Sequence, residues 1–325
     1  MISVVIPTYN GLEHLQSCFD SLLSQQVNSV HYKVKEDFRI ILVDNGSADG
    51  TIQYVEKNYP GMELIKLDKN YGFAKAVNDG IKLSLLDEKV THILLLNNDI
   101  ECRVDFFEKV LNGFIDDEIG SVACKMINFY DRTKIDDVGD FIKLIGSPYA
   151  RGHAETDLGQ YDNPEYIFGA CAGAALYKRD VFEKAGYFDE DFFAYYEDVD
   201  FSLRMQMMGF KCYFNPKAVC YHKRGATTST KSGFQTMLCE QNLIALRLKN
   251  YPLFTYILLQ PLFVAARIKR YAMFLFGNEP GLFLKALKGY FMGLKKIPGS
   301  IKKRSILISR IDISDKDFKK LFRQK

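Results

Sequence analysis

Three apolar runs in the first hundred residues end at polar tips: SVVIPT (3–8) before Tyr9-Asn10, FRIILVD (38–44) before Asn45, and HILLLN (92–97) before Asn98-Asp99. A fourth run, MELIKL (62–67), lies between the second and third. Between the runs, apolar residues recur at helical spacing: Leu12, Leu15, Phe19, Leu22 and Leu23, then Ile52, Val55 and Tyr59. The segment NYGFAKAVNDGI opens a further helix. Short runs apolar on both faces read as strands covered on both sides, and parallel strands need a crossover that the intervening helices supply. This pitch predicts an α/β fold, a mostly parallel sheet flanked by helices. In such sheets ligands bind beyond the carboxyl ends of the strands. Thr8-Tyr9-Asn10, Asp44-Asn45 and Asn97-Asn98-Asp99 all fall on that edge.

Beyond residue 100 the pattern loosens. Residues 130–163 are rich in Asp, Gly and Tyr, with Pro148 among them, and predict a long irregular excursion. Residues 168–186 predict a small-residue strand followed by a helix. A helix over 201–210 follows the acidic stretch YYEDVDF, and KCYFNPKAVCYH (211–222) reads as strand, turn, strand. After Gly225 aromatic and aliphatic residues dominate, with Lys and Arg interspersed. The expected organisation is a catalytic domain over 1–225 (a nucleotide-binding half, 1–100, and an acceptor half, 101–225) and a helical C-terminal region over 226–325.

That last region holds LFTYILLQPLFVAARIKRYAMFLF (253–276), interrupted by Pro261 and by Arg267, Lys269 and Arg270. It falls short of the eighteen or so uninterrupted apolar residues of a membrane span, and predicts helices lying on something. Lys285, Lys288, Lys295, Lys296, Lys302 and Lys303 follow it. Such helices suit the face of an anionic membrane; a helical cap on the catalytic domain or a homo-oligomer interface is the alternative.

The net charge of +3 gives no global case for a nucleic-acid partner. The seven Cys form no C-x-x-C, which argues against a zinc knuckle or redox pair. Met1 leads straight into ISVVIPTY without a basic segment or cleavage site, so the expected location is the cytoplasm.

Each chemistry-bearing residue has a structural alternative. Asp44 follows a buried strand. It, or Ser47, could cap the next helix or close an Asx-turn, or Asp44 could accept a hydrogen bond from a base or ribose. NYGFAKAVNDG is not a P-loop. Gly72 could mark a helix start capped by Asn70, or a close backbone approach to a phosphate with Lys75 nearby. Asn97, Asn98 and Asp99 could form a turn, or a site for Mg²⁺ or Mn²⁺ completed by a diphosphate. Glu197, Asp198 and Asp200 could favour a helix start, Asp198 or Asp200 as its N-cap. They also leave an aromatic wall of Phe192, Phe193, Tyr195 and Tyr196, where partial burial would raise a carboxylate into the range of a general base. His222 could be structural or a metal donor, and imidazole suits Mn²⁺ better than Mg²⁺.

Taken in order, VVIPTYNGLEHLQSCFDSLLSQ, ILVDNGSADGT, NYGFAKAVNDGI, LLLNNDI and GACAGAALYKRDVFEKAGYFDEDFFAYYEDVDFSLRMQMMGFKCYFNPKAVCYH resemble the family 2 glycosyltransferases of GT-A fold, over residues 1 to about 225. The chain looks most like their rhamnosyltransferase-like branch, which builds surface polysaccharides. The resemblance implies a metal-dependent, inverting transfer of sugar from a nucleotide diphosphate, dTDP-rhamnose or a UDP-sugar, to a glycan or lipid-linked acceptor. By that resemblance Pro7, Thr8, Tyr9, Asn10 and Asp44 hold the nucleotide, Gly72 and Asn78 lie beside the nucleotide sugar, and Asn97-Asn98-Asp99 stands at the Asp-x-Asp element. Asp99 and His222 bind the metal, Asp198 is the catalytic base, and Gly169, Gly173 and Glu197 lie on the acceptor side. Asn97 departs from the family pattern, leaving one carboxylate in that element.

Two other classes compete. A sugar-nucleotide pyrophosphorylase would want a Gly-rich N-terminal loop with a basic residue, which VIPTYNG lacks. A non-catalytic nucleotide-sugar-binding subunit has no need of Asp99, Asp198 and His222.

Overall fold

The computed structural model describes residues 1–27, 29–224, 233–277, 279–311 and 313–323. The first half runs β1 (Ile2–Thr8), α1 (Leu12–Leu23), a small hairpin of β2 (Gln26–Val27) and β3 (Val30–His31), β4 (Phe38–Asp44), α2 (Thr51–Asn58), β5 (Glu63–Lys66), α3 (Phe73–Leu85) and β6 (His92–Leu96). The second continues with β7 (Ile100–Cys102), α4 (Phe106–Leu111), β8 (Ile119–Asn128), β9 (Ile135–Asp137), β10 (Asp140–Lys143), β11 (Ser147–Ala150), β12 (Glu165–Ile167), β13 (Ala174–Lys178), α5 (Arg179–Ala185), α6 (Glu197–Met207) and β14 (Lys211–His222). Helices α7 (Gly233–Asn250), α8 (Leu253–Phe276), α9 (Pro280–Lys295), α10 (Ile297–Ile308) and α11 (Asp315–Lys320) complete it.

One sheet runs in the order β12-β14-β8-β13-β6-β1-β4-β5, with β7 on β14 and β9 on β8. β6, β1, β4 and β5 are mutually parallel, as the apolar runs joined by helices predict. β13 enters antiparallel between β6 and β8, while β8 and β14 are parallel. Parallel character is thus concentrated in the first half, and the second half is mixed. Alternation along each strand builds two cores: Val5, Ile93 and Leu95 pack with Val77 and Ile81 of α3, while Val4, Ile6 and Leu94 pack with Leu15 and Phe19 of α1.

The registers explain why one edge gathers the polar tips. Thr8 pairs with Asp44, Leu96 with Ala174, and His222 with both Asn128 and Ile100. The ends of β1, β4, β6, β8 and β14 and the start of β13 therefore lie together.

Several expectations need correction. Residues 130–163 are not wholly irregular, since β9 and the β10–β11 hairpin lie there. Residues 211–222 form one strand whose register shifts between Asn215 and Val219; Pro216, which has no N–H, sits in the irregularity. The helix of the acidic stretch starts at Glu197, with Tyr196 at its N-cap in a left-handed conformation, so neither Asp198 nor Asp200 caps it. Instead Asp200, fully buried, pairs with Arg204 at 3.0 Å and Lys249 at 2.6 Å. Pro261 lies inside the continuous helix α8. Among the described residues no helix is long and apolar enough to cross a membrane.

Candidate functional site

At the end of β4, Asp44 is fully buried and its Oδ2 accepts a hydrogen bond from Ser47 N, three residues on, at 3.0 Å, one residue beyond the reach of an Asx-turn. Gly50 is the N-cap of α2, so neither Asp44 nor Ser47 caps that helix. The second oxygen, Oδ1, is buried without a partner, an acceptor available to a base or ribose. Asn10 (φ 50°) binds the same turn: its Oδ1 accepts from Ala48 N at 2.8 Å and its N–H donates to Ser47 Oγ at 2.9 Å. Pro7 is half-buried in β1 opposite Val43, and Tyr9 is exposed at its end. Thr8 Oγ1 accepts from Asn98 Nδ2 at 2.9 Å, so the tips of β1 and β6 are tied to each other.

Asp99 and His222 meet. β7 pairs with β14, setting His222 opposite Ile100, and its Nε2 lies 3.3 Å from Asp99 Oδ1. That oxygen is buried, and its contact with the imidazole is an ion pair rather than a hydrogen bond of good geometry. The other ring nitrogen, Nδ1, hydrogen-bonds Asp136 Oδ2 at 2.6 Å. Burial alone would hold the ring neutral, but the bonds to Asp136 and Asp99 outweigh it and lift His222 to about 9. A carboxylate behind a histidine whose other nitrogen faces a second carboxylate is the arrangement found behind metal-ligating imidazoles. Asn97 is half-buried beside Gly173, where an added Cβ would come 3.3 Å from Asn97 Nδ2. Its backbone N–H donates to Gly173 O at 2.8 Å.

Asp198, in the first turn of α6, faces Asp140 and Cys171, with donor atoms of all three within 4.8 Å of one another. Burial raises Asp198, while Val199 N–H at 2.8 Å and a hydrogen bond from Asp140 favour its anion. Burial and the Asp198 charge push Asp140 well above the usual range. Burial lifts Asp137 to about 7 and pushes Glu197 well above its ordinary value. Burial also raises the Cys171 thiol, which stays protonated. A neutral thiol is a poor partner for a hard cation, so this trio suits proton transfer better than metal binding. Gly169 is packed closely: its carbonyl accepts from Asp140 N at 2.8 Å, and a Cβ there would meet Ser202 Oγ at 2.3 Å.

The two residues expected beside the nucleotide sugar, Asn78 and Gly72, have protein neighbours. Asn78 is almost fully buried, donating to Phe188 O at 2.9 Å and Glu190 Oε1 at 3.0 Å and accepting from Phe188 N at 3.0 Å, which makes it an interior clamp. Gly72, not Asn70, is the N-cap of α3 (φ 90°), and its close approach is to protein: an added Cβ would lie 2.4 Å from Phe193 O. Lys75 pairs with Asp79.

The chain between Phe192 and Glu197 is strained, with positive φ at Phe193 (64°), Tyr195 (70°) and Tyr196 (69°). Asn242 of α7 holds it, its Nδ2 lying 2.9 Å from Phe192 O, 2.9 Å from Ala194 O and 2.8 Å from Tyr195 O. Helix α7 is therefore packed into the site, and residue 225 does not divide the molecule's packing. Sequence reasoning missed Asn242 and the trio Asp136, Asp137 and Asp140. The available signal was IDDVGDF (135–141), where carboxylates sit among apolar residues rather than in a polar loop.

The family model "Glycosyl transferase family 2" matches residues 3–186. The chain belongs to glycosyl transferase family 2. The N-acetylglucosaminyl-diphospho-decaprenol L-rhamnosyltransferase of Mycobacterium tuberculosis is 25% identical over 255 residues, 70% of this chain and 78% of that protein. The minor teichoic acid biosynthesis protein GgaA of Bacillus subtilis is 32% identical over 126 residues, 38% of this chain and 27% of that one. Among solved structures, S. aureus TarS 1–349 in complex with UDP-GlcNAc superposes with TM-score 0.55 at 15% identity, covering 99% of this chain and 90% of that one. The mannosyltransferase PcManGT of Pyrobaculum calidifontis, in complex with GDP-Man and Mn²⁺, gives 0.52 at 16% identity, covering 99% and 83%. The family 2 chain thus has the GT-A fold, with a C-terminal helical region.

Proposed function

We propose that this glycosyltransferase moves a sugar, with inversion, from a nucleotide diphosphate donor to a hydroxyl of a glycan or lipid-linked glycan in surface polysaccharide synthesis. The observation that carries the reading is the buried pair of Asp99 Oδ1 and His222 Nε2, at the same sheet edge as Asp44 and beside the carboxylates around Asp198. The similarity to a decaprenol-linked rhamnosyltransferase favours dTDP-rhamnose as donor, and TarS with UDP-GlcNAc makes a UDP-sugar the other choice. A lipid-linked acceptor would put the enzyme in the cytoplasm, at the inner face of the membrane.

Thr8, Tyr9, Asn10 and Asp44 would cradle the nucleotide, Asp44 Oδ1 accepting from base or ribose. Asp99 and His222 would hold Mg²⁺ or Mn²⁺, Asn97 and Asn98 flanking them, and the imidazole favours Mn²⁺. Such a cation, when bound, neutralises charge on the leaving diphosphate. Asp198 takes the proton of the acceptor hydroxyl, and Asp140 beside it favours the Asp198 anion. The freed oxygen attacks the anomeric carbon from the face opposite the nucleotide, and the single displacement inverts the configuration. Gly169, Gly173 and Glu197 line the acceptor side.

The test is thermal stabilisation by dTDP, UDP and GDP with and without Mn²⁺ or Mg²⁺, on wild type and Asp99→Ala. A ligand bound only by the folded chain must raise its melting temperature. Metal-dependent stabilisation by one nucleotide, lost in Asp99→Ala, is expected. No shift with any nucleotide overturns the donor site.

A further inference from the structure

Helix α8 is 24 residues long, about 36 Å at 1.5 Å per residue, yet only Thr255, Leu259 and Phe263 are buried. Phe254, Ile257, Leu258, Leu262, Val264 and Ile268 are each 50–65% exposed. At three- and four-residue spacings they form one continuous apolar stripe. A soluble monomer rarely exposes so long a stripe unless something covers it.

Charge narrows the choice of cover. Between residues 241 and 311 the sequence has thirteen Lys and Arg against one acid, Glu279. Some of these cations are used internally. Arg267 and Arg270 turn inward to the buried Glu240 of α7, Arg270 Nη1 lying 2.9 Å from its carboxylate. Lys249 and Lys303 pair with Asp189. Lys269, Lys285, Lys288, Lys295 and Lys302 are exposed, and none has a carboxylate partner among the described residues. Helix α9, packed on α8 through the edge-to-face rings of Tyr271 and Phe283 at 5.7 Å, repeats the pattern. Its Leu284, Lys288, Phe291 and Lys295 share one face, with Leu284 64% and Phe291 55% exposed. Lysines interleaved with apolar side chains can bury their stems and keep their ammonium groups at a charged, wet boundary.

We propose that α8 and α9 dock this molecule on the surface of an anionic lipid bilayer, the apolar stripe entering the acyl boundary and the lysines meeting the headgroups. A second copy of the chain fits less well, because it would bring an equally basic surface against this one. The surface is joined directly to the candidate site, since α7 carries both Asn242, under the strained loop before Asp198, and Glu240, which holds α8. Docking there would bring that loop close to the lipid surface from which a lipid-linked acceptor would be taken. The docking itself does not depend on the proposed donor, metal or base.

The test is co-sedimentation of the full chain with vesicles of phosphatidylcholine alone or with added phosphatidylglycerol, at low and high salt. Two variants accompany it: Phe254→Ser/Ile257→Ser/Leu258→Ser and Lys269→Glu/Lys288→Glu/Lys295→Glu. Light scattering and melting curves establish oligomeric state and folding. The expected result is partition at least tenfold stronger onto the anionic vesicles, weakened by salt and reduced tenfold or more in each variant, from a monomer that still melts cooperatively. Absence of wild-type partition, or equal partition of the variants, overturns the proposal. So does a wild-type dimer that ignores vesicles and that the triple Ser variant dissociates, which would assign the stripe to a second copy.

Discussion

His222 stands between two carboxylates in different settings: its Nδ1 is 2.6 Å from Asp136 Oδ2, and its Nε2 is 3.3 Å from Asp99 Oδ1. Asp136 is almost fully buried, and its other oxygen lies 2.6 Å from Arg224 Nε, so it is fixed independently of any ligand. It therefore sets the ring's orientation and the nitrogen that faces Asp99. Asp136→Asn is expected to weaken Mn²⁺ binding by about 10- to 100-fold, as loss of a carboxylate behind a ligating imidazole does. Titration of Mn²⁺ by electron paramagnetic resonance, with UDP or dTDP present, checks this. Wild-type affinity in the variant would show that the pair is only structural.

The same pair makes the metal-free fold pH-dependent. Burial opposes charge on His222, but Asp136 and Asp99 raise it from 6.5 to about 9. A group raised in the fold contributes stability that is complete below its unfolded value and disappears as pH climbs through its folded value. Stability in chelator should therefore fall between about pH 6.5 and pH 9, by about 3 kcal/mol at most at 1.36 kcal/mol per unit. Melting curves across that range should show the slope in wild type and a flatter line in His222→Asn.

Asp198→Asn should lower kcat by about 10²- to 10⁴-fold, the usual contribution of a positioned base, while nucleotide binding stays unchanged. Asp140 separates position from protonation. Its hydrogen bond favours the Asp198 anion. Asp140→Asn keeps a donor there and should lose about tenfold or less. Asp140→Leu removes the donor and should move the acid limb of kcat/KM to higher pH. An unmoved limb in Asp140→Leu would break the link between the two carboxylates.

The first hundred residues were legible because most of their strands are local apolar runs whose helices follow immediately; Asp44, Asn97 and Asp99 could be placed from the ends of those runs. The carboxylate cluster was not legible in the same way. Asp136, Asp137 and Asp140 lie on short strands whose burial depends on β8, α6 and β14, and a buried Asp in a Gly-containing segment reads locally as a turn. The N-cap of α6 misled for a related reason: a Tyr in the left-handed region is costly, and only contacts distant in sequence sustain it. Gly72 and Asn78 were readable as important, but their partners, Phe193 and Phe188–Glu190, are more than a hundred residues away.

Those distant contacts bear on the last expectation. Phe193, Tyr195 and Tyr196 hold backbone conformations that each cost of order 1–3 kcal/mol, and Asn242 offsets this by hydrogen-bonding three carbonyls that straddle them. Asn242→Leu removes those bonds while filling similar volume. The fold should lose about 1–3 kcal/mol, the desolvation cost of carbonyls left unpaired, measured by denaturant melts. The greater effect should fall on turnover, because relaxation of the loop moves the start of α6 and with it Asp198. Under conditions where the variant is fully folded, kcat should drop at least tenfold while the Kd for the nucleotide stays within about twofold. An equal loss in both would mean that Asn242 supports the whole molecule rather than the loop that carries Asp198.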